Sequence, residues 1–269
     1  MSLDITELMN LAAMAASEAI LGVYRREFVA IEKADGSPVT EADQKAEAII
    51  LAHLAATGLP VLAEESVAAG HIPELGERYF VVDPLDGTKE FLKRNGEFTV
   101  NIAYCEAGRP VSGVVLAPAT DAIYWGGPKG AFSGRVVEGT ITDRRALRVS
   151  ETAHPLRIVA SRSHGHAALA ELCDTLEETE DVSVGSSLKF CLLATGEAQL
   201  YPRFTPTSEW DTAAGQAVLQ AAGGVVLGLD GVPLTCGHRD AQFLNAWFVA
   251  AASRELALKA VAEMVRLAG

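Results

Sequence analysis

The stretch at residues 79–91, which reads YFVVDPLDGTKEF, constrains the fold of this chain more than any other part of it. It begins with an apolar, β-prone run, which predicts a buried strand. Pro84 has no amide hydrogen and a fixed φ, so we expect the strand to stop as Asp83 emerges at its end. The stretch therefore predicts a strand that leads directly into an acidic turn.

This turn brings oxygen atoms together. The carboxylates of Asp83 and Asp86 can converge on one point, with the Leu85 carbonyl between them. Gly87 permits a positive φ or a close backbone approach, and Thr88 can begin a short helix whose first amides point outward. Hard oxygen ligands beside a helix N-terminus suit a divalent cation that holds a phosphate. The alternative is an ordinary turn whose acids serve only as turn formers.

Asp43 has two interpretations. Thr40 is a good N-cap for a helix that we expect to run to about His53, and Asp43 then takes the third helical position of a capping box. In the other interpretation, Asp43 accepts a hydrogen bond from Thr88 and orients a water molecule. The local pattern by itself favours the cap.

Two neighbouring acids follow a predicted short strand at residues 61–63. Adjacent side chains at a strand end point to opposite faces, so only one of the two can face a given site. We expect Glu64 to face the site and Glu65 to support it from behind. The alternative is that both acids simply begin a solvated loop.

The two parts of the chain differ in pattern. Before residue 150, apolar runs separated by turn-like segments predict an antiparallel sheet, whereas strands and helices alternate after it and predict an α/β arrangement. We therefore predict an α+β chain with an N-terminal half, residues 1–150, and a C-terminal half, residues 151–269. The absence of a linker between the halves predicts that they pack tightly.

The C-terminal half contains further candidate site residues. The segment GSSLK at residues 185–189 lies at a predicted strand-to-helix junction and offers amides, hydroxyls and a cation to an anion. The alternative is an N-cap with Lys189 on the exposed helix face. Tyr201 and Arg203 supply a ring for stacking and a guanidinium for bidentate phosphate contact. Asp211 begins a predicted helix, which it can cap, or it can coordinate a metal there.

The composition narrows the range of partners. Asp and Glu outnumber Lys and Arg by 35 to 22, and the net charge of −13 repels nucleic-acid backbones and anionic membranes. The four cysteines are far apart, which argues for reduced thiols and against a zinc cluster. Because no apolar run approaches membrane-spanning length and no signal-peptide pattern is present, we expect a cytoplasmic location.

Several motifs occur together in one order: KADGSPVTEAD at residues 33–43, EES at 64–66, DPLDGT at 83–88 and WDTAAG at 210–215. Over nearly the whole chain, this set resembles the lithium-sensitive, magnesium-dependent phosphatases of the inositol monophosphatase and fructose-1,6-bisphosphatase superfamily. DGTKEF at 86–91, GSSLKFCL at 185–192 and AQLYPRF at 198–204 are similar to its 3′(2′),5′-bisphosphate nucleotidase branch, the CysQ type.

The resemblance implies a layered αβαβα fold with the active site between the halves. It also implies two or three Mg²⁺ ions per site, whose ligands would be Glu64, Asp83, the Leu85 carbonyl, Asp86 and Asp211. Oxygen ligands suit Mg²⁺ and not zinc or copper. By the same resemblance, the catalytic residues for direct attack by water would be Asp43, Thr88 and Glu64.

The branch implies that the substrate is adenosine 3′,5′-bisphosphate, cleaved to AMP and phosphate, with the 5′-phosphosulfate analogue as a second substrate. The implied substrate-binding residues are Gly87, Thr88, Ser186, Ser187, Lys189, Tyr201, Arg203 and, at the metal rim, Lys33. Among these, Lys189 and Arg203 would meet the remaining anionic groups, and the serines and Tyr201 would line the nucleoside pocket.

Two alternatives remain open from the sequence. One is an inositol or sugar monophosphatase of the same superfamily, and the other is a regulatory module that binds a protein or RNA partner. The complete set of acids and the net charge of −13 disfavour the second alternative. The sequence leaves open whether the chain is a monomer or a homodimer, and whether it associates peripherally with the cytoplasmic face of the inner membrane.

Overall fold

The computed structural model describes residues 4–32, 36, 38–150, 155–160, 167–176 and 179–268. Its helices are α1 (Ile5–Tyr24), α2 (Glu41–Leu54), α3 (Glu64–Ala68), α4 (Thr88–Leu92), α5 (Ala167–Leu176), α6 (Leu188–Ala194), α7 (Ala213–Ala221) and α8 (Arg254–Ala268). Its strands are β1 (Ala30–Glu32), β2 (Pro38–Thr40), β3 (Val61–Ala63), β4 (Arg78–Asp86), β5 (Thr99–Glu106), β6 (Arg109–Ala117), β7 (Ala122–Gly127), β8 (Gly130–Val137), β9 (Thr140–Leu147), β10 (Leu156–Ala160), β11 (Thr179–Ser183), β12 (Leu200–Arg203), β13 (Thr207–Ser208), β14 (Val225–Gly228), β15 (Leu244–Asn245) and β16 (Phe248–Ala251).

Two large sheets and three sets of helices form the layers. The seven-stranded sheet runs in chain order from β3 to β9 and is antiparallel except for the pair β3 and β4. The five-stranded sheet has the order β11-β10-β12-β16-β14. Helices α1 and α2 cover the outer face of the first sheet, α6 and α7 lie between the sheets, and α5 and α8 cover the second sheet. The α+β class and the αβαβα layering are confirmed.

Strand β4 shows why these sheets have continuous apolar runs. Phe80 and Val82 enter the core beneath α1 and α2, whereas Tyr79 and Val81 enter the core between the two sheets. Both faces of the strand are therefore buried, and a strand buried on both faces is apolar throughout instead of alternating.

Glycines allow α7 to rest directly on the seven-stranded sheet. A Cβ at Gly113 would lie 2.4 Å from the Ala214 carbonyl oxygen, and one at Gly126 would lie 2.8 Å from the Val218 Cα. Only residues without a side chain permit this approach. The close packing brings the start of α7, and Asp211 just before it, to the end of β4.

The predicted end of the central strand is wrong, because β4 continues through Pro84 to Asp86. The register against β5 shifts between Asp83 and Asp86, so that residues 84–85 lie opposite the single residue Val100. A β-bulge of this kind accommodates proline, because its missing amide is not needed by the ladder there. The two acids consequently lie on either side of a bulge and not in a free turn.

Other boundaries differ by a few residues. Helix α1 ends at Tyr24, and the Arg94 guanidinium donates to the carbonyls of Tyr24 and Arg26 at this end. Asp211 ends a 3₁₀ turn, Glu209–Asp211, and does not begin α7. Within the described ranges, no helix is both long enough and apolar enough to cross a membrane.

Candidate active site

Three carboxylates from both halves of the chain meet at one point. Asp83, Asp86 and Asp211 each offer an oxygen atom, and these atoms lie within 4.8 Å of one another. Asp83 is buried and the other two are half-buried. The carboxyl of Glu64 also hydrogen-bonds that of Asp83. Four of the predicted metal-binding side chains therefore lie in one cluster.

The electrostatics of the cluster favour a bound cation. Burial, followed by the charges of Glu64, Asp86 and Asp211, raises the pKa of Asp83 well above its ordinary value. Burial and then the charge of Asp86 raise the pKa of Asp211 to about 7. Carboxylates held this close repel one another unless protons or cations balance them. Because all the donors are oxygens, the set fits a hard divalent cation.

The backbone of the bulge is tied to its own side chains. The Leu85 amide donates to Asp83 Oδ1 at 2.9 Å, which fixes the carboxylate against the turn. The Leu85 carbonyl oxygen lies 3.4 Å from Thr88 Oγ1. Leu85 therefore lies between the acid cluster and the start of α4, and its role as a metal ligand stays a prediction.

The structure unites the two interpretations of Asp43. Its Oδ2 accepts from the Thr40 amide at 2.8 Å and from the Thr40 hydroxyl at 2.7 Å, which forms the predicted capping box of α2. Its Oδ1 accepts from the Thr88 hydroxyl at 3.1 Å. One buried carboxylate therefore stabilises a helix and contacts the candidate site, and the two interpretations do not compete.

Glu64 is held in place through its neighbours. It is the first residue of α3, directly after β3. The buried Glu47 of α2 accepts from the Glu65 amide at 2.8 Å and from the Ser66 hydroxyl at 2.5 Å. Glu47 is not among the predicted site residues, but it lies one helical turn after Asp43 on the same face, and this spacing is a signal in the sequence.

The structure places Ser187 beside the acid cluster, with contacts that the sequence did not predict. Its hydroxyl lies 2.9 Å from Asp86 Oδ2 and 2.8 Å from the Asp211 carbonyl. Asn101, which the sequence did not single out, donates to the same hydroxyl at 2.8 Å and to Asp86 Oδ2 at 3.3 Å. These contacts join the two halves across the cluster.

A further buried acid anchors the turn that carries Asp211. Glu209 is fully buried, and its carboxylate accepts from the amides of Gly237 at 2.6 Å and His238 at 2.9 Å. Nothing in the local sequence around Glu209 predicts these partners, which come from a distant loop.

A cleft of about 290 Å³ opens beside the acid cluster. The predicted residues in its wall are Asp86, Gly87, Ser186, Lys189, Tyr201, Arg203 and Asp211. The wall also contains Gly185, from the predicted GSSLK segment, together with residues to which the sequence analysis gave no role: Lys89, Glu90, Glu97, Phe190, Thr207 and Thr212. Lys33 lies outside the described residues.

Gly87 fits its place for two reasons. Its φ is 92°, in the left-handed region, and a Cβ there would lie 3.0 Å from the Glu97 carbonyl oxygen. No other residue meets both conditions without strain. The chain can thus turn from the bulge into α4, with Thr88 as the first helical residue.

Ser186 is strained and incompletely hydrogen-bonded. Its φ is 48°, a region that non-glycine residues rarely adopt. Its hydroxyl oxygen is buried and has no hydrogen-bond partner among the described residues. Strain and an unpaired polar group at a cleft wall are features of ligand-binding positions.

Lys189 is buried, so the alternative that placed it on an exposed helix face is wrong. Its Nζ donates to the Ser186 carbonyl at 2.6 Å and lies 5.5 Å from the centre of the Tyr201 ring. Burial lowers the pKa of Lys189 to about 8 and raises that of Tyr201 to about 12. Arg203 Nε donates to the Thr205 carbonyl at 3.2 Å, which orients the guanidinium in the cleft wall.

Comparison with known proteins agrees with this geometry. The model of the inositol monophosphatase family matches residues 3–266. The chain belongs to the inositol monophosphatase family. A solved inositol monophosphatase from Thermotoga maritima shares the fold, with a TM-score of 0.77 at 23% identity over 99% of this chain and 100% of that one.

The CysQ members of the inositol monophosphatase family are more similar in sequence. The 3′(2′),5′-bisphosphate nucleotidase CysQ of Escherichia coli K12 is 46% identical over 240 residues, 88% of this chain and 95% of that protein. The CysQ of Buchnera aphidicola is 39% identical over 89% of this chain and 91% of its own length. The crystal structure of CysQ from Bacteroides thetaiotaomicron has a TM-score of 0.77 at 38% identity, over 92% and 97% of the two chains. The resemblance to the CysQ type is confirmed.

Proposed function

We propose that this protein is a metal-dependent phosphatase that hydrolyses the 3′-phosphate of adenosine 3′,5′-bisphosphate to give AMP and phosphate, and also accepts the 5′-phosphosulfate analogue. The observation that carries this proposal is the meeting of Asp83, Asp86 and Asp211 within 4.8 Å beside a cleft. The substrate follows from the CysQ relatives, which are named as 3′(2′),5′-bisphosphate nucleotidases.

We infer that the metal is Mg²⁺, with two or three ions per site. The residues that would hold it are Glu64, Asp83, Asp86, Asp211 and the Leu85 carbonyl. Bound there, the ions would supply the positive charge that lowers the pKa of a water molecule and neutralises phosphate oxygens. The N-terminal half, residues 1–150, would contribute most of these ligands, and the C-terminal half, residues 151–269, would complete the set.

Asp43 and Thr88 would orient the attacking water. The Thr88 hydroxyl donates its hydrogen to Asp43 Oδ1 at 3.1 Å, so its lone pairs are left to accept a hydrogen bond from water. Burial raises the pKa of Asp43, which makes its carboxylate a better proton acceptor. The water proton can pass to Thr88 as the Thr88 proton passes to Asp43.

The remaining cleft residues would hold the substrate. The backbone amides of Gly87 and Thr88, at the start of α4, would donate to the phosphate that is cleaved. The unpaired hydroxyl of Ser186 and the Tyr201 ring would contact the nucleoside, and Lys189 and Arg203 would balance its remaining charge. We assign Ser187 a positioning role on Asp86, because of its hydrogen bond there.

Phosphate release from three substrates tests the proposal: adenosine 3′,5′-bisphosphate, inositol 1-phosphate and fructose 1,6-bisphosphate, each with and without lithium. We expect the highest kcat/KM for adenosine 3′,5′-bisphosphate, a requirement for Mg²⁺ and inhibition by lithium. A higher kcat/KM for inositol 1-phosphate would overturn the substrate assignment while leaving the phosphatase assignment intact. Absence of turnover on all three would overturn both.

A further inference from the structure

We propose that Lys89 binds the phosphate that is not cleaved and thereby distinguishes a nucleoside bisphosphate from a monophosphate. The inference rests on the proposed function and gives a specificity-determining role to a lysine of the DGTKEF motif. Lys89 is the second residue of α4, directly after Thr88, and it lines the cleft.

The charge of Lys89 is available to a ligand. The side chain is exposed, and its amine has no hydrogen-bond or ion-pair partner among the described residues. An ammonium group on a flexible stem can follow a phosphate at the mouth of a cleft, since it needs no fixed approach direction.

The other two cations of the cleft wall already donate hydrogen bonds to backbone carbonyls. Lys189 is buried and donates to the Ser186 carbonyl at 2.6 Å. Arg203 donates to the carbonyls of Thr205 at 3.2 Å and Pro206 at 3.4 Å. Both still contribute charge to the cleft, but among these three cations only Lys89 is exposed with an unbonded head group.

The surroundings of Lys89 make its charge necessary for a doubly anionic ligand. Glu90 and Glu97 line the same cleft as Asp86 and Asp211, and Glu97 Oε2 accepts from the Gly185 amide at 2.9 Å. Cations placed in the acid cluster would balance the phosphate that is cleaved. A second phosphate would then face Glu90 and Glu97 at the rim, where Lys89 offsets their repulsion.

The experiment compares Lys89→Met with Lys93→Met, which changes an exposed lysine at the end of the same helix that does not line the cleft. Each variant is assayed on adenosine 3′,5′-bisphosphate and on adenosine 3′-monophosphate, which lacks the second phosphate. For Lys89→Met we expect KM for the bisphosphate to rise about tenfold, with kcat within about twofold of wild type. The monophosphate constants should not change, and Lys93→Met should behave as wild type.

The bisphosphate effect should also shrink as salt is raised from about 0.05 M to about 0.5 M, since screening weakens an exposed charge contact. An equal loss on both substrates, or no loss, would overturn the assignment of Lys89 while the wild-type activity upholds the proposed function. A wild type that does not hydrolyse the bisphosphate would overturn the proposed function and this inference together. Lys89→Arg should retain at least part of the discrimination, because it restores the charge.

Discussion

Asp43 and Asp211 occupy similar places in the two halves of the molecule. Each follows a Thr or Ser N-cap by three residues, and each accepts the backbone amide of that N-cap, Thr40 in one case at 2.8 Å and Ser208 in the other at 3.2 Å. Each also accepts a threonine hydroxyl on the same oxygen. The local motif is therefore the same in both halves.

The groups around the rest of each carboxylate are different. Asp43 meets the hydroxyls of Thr40 and Thr88, so burial alone raises its pKa and hydrogen bonds oppose the rise. Asp211 meets the charges of Asp86 and Glu64 in addition to its burial. If the proposed roles are right, the same capping box supplies a proton acceptor in one half and a metal ligand in the other, and the residues across the site decide which.

The largest effect should come from replacing Asp83, which shares the acid cluster with Asp86 and Asp211. We expect Asp83→Asn to lower kcat by on the order of 10³ or more, because the variant lacks a proposed metal ligand. Asp174→Asn, on an exposed part of α5, is the control. Retained turnover in a folded Asp83→Asn protein would contradict the enzyme assignment and favour a regulatory role.

The next test separates the roles of Asp43 and Asp211 directly. Asp43→Asn should lower kcat by about 10² to 10⁴, the usual contribution of a general base, with the Mg²⁺ concentration for half-maximal activity unchanged. Asp211→Asn should raise that Mg²⁺ concentration. Titration of activity with Mg²⁺ measures kcat and the half-maximal Mg²⁺ concentration of each variant. A similar shift of that concentration in both variants would contradict the proposed difference between Asp43 and Asp211.

Acid should stabilise the metal-free protein. The folded-state pKa of Asp211 is about 7, above its unfolded value, so the folded state binds more protons between about pH 4 and pH 7. The free energy of unfolding should therefore fall as pH rises through this window and then level off. We expect the melting temperature in EDTA to be higher at pH 6 than at pH 8 by a few degrees, on the order of those that small stability changes produce.

Two comparisons check that prediction. Mg²⁺ should remove most of the difference, because the cation replaces the protons that balance the cluster. Asp211→Asn should reduce the difference in melting temperature more than Asp43→Asn does. Of these two acids, only Asp211 has a pKa that neighbouring charges raise in addition to burial. A metal-free melting temperature that rises from pH 6 to pH 8 would have the opposite sign and would contradict the electrostatic account.

The smallest effects should come from Thr40 and Thr207, whose hydroxyls donate to Asp43 and Asp211. Thr40→Ala removes an N-cap and should lower the free energy of unfolding by about 1 kcal/mol. Thr207→Ala removes the hydroxyl that donates to Asp211 Oδ2 and should act mainly on the Mg²⁺ requirement. Urea denaturation and Mg²⁺ titration of both variants measure the contrast, and identical profiles would argue against it.

The acids of the site could be predicted because their motifs are local. Asp83 and Asp86 follow a recognisable strand, and the Thr40 capping pattern correctly gave the start of α2. The apolar runs gave both sheets, since burial on two faces leaves a clear pattern. Local chemistry and periodicity therefore account for most of the fold and for the pairing of Asp83 with Asp86, whereas only the family resemblance implied that Glu64 and Asp211 join them.

The errors arose where distant residues decide the outcome. Ser187 meets Asp86 across 101 positions in the chain, and no local signal specifies such a contact. The burial of Lys189 depends on how α6 packs between the sheets, whereas the sequence shows only its charge. Pro84 indicated a strand end, because proline rarely occurs inside a sheet. The strand tolerates it through the bulge that β4 forms with β5, which the local sequence does not show.

The backbone of Ser186 has a practical consequence for protein engineering. Glycine at this position would adopt the left-handed conformation with about 1 kcal/mol less strain, but it would remove the one hydroxyl that the cleft leaves available there. Selection for heat resistance would therefore favour glycine, and selection for nucleotide affinity would favour serine. A library of variants at position 186 should therefore yield glycine when it is screened for heat resistance and serine when it is screened for nucleotide affinity.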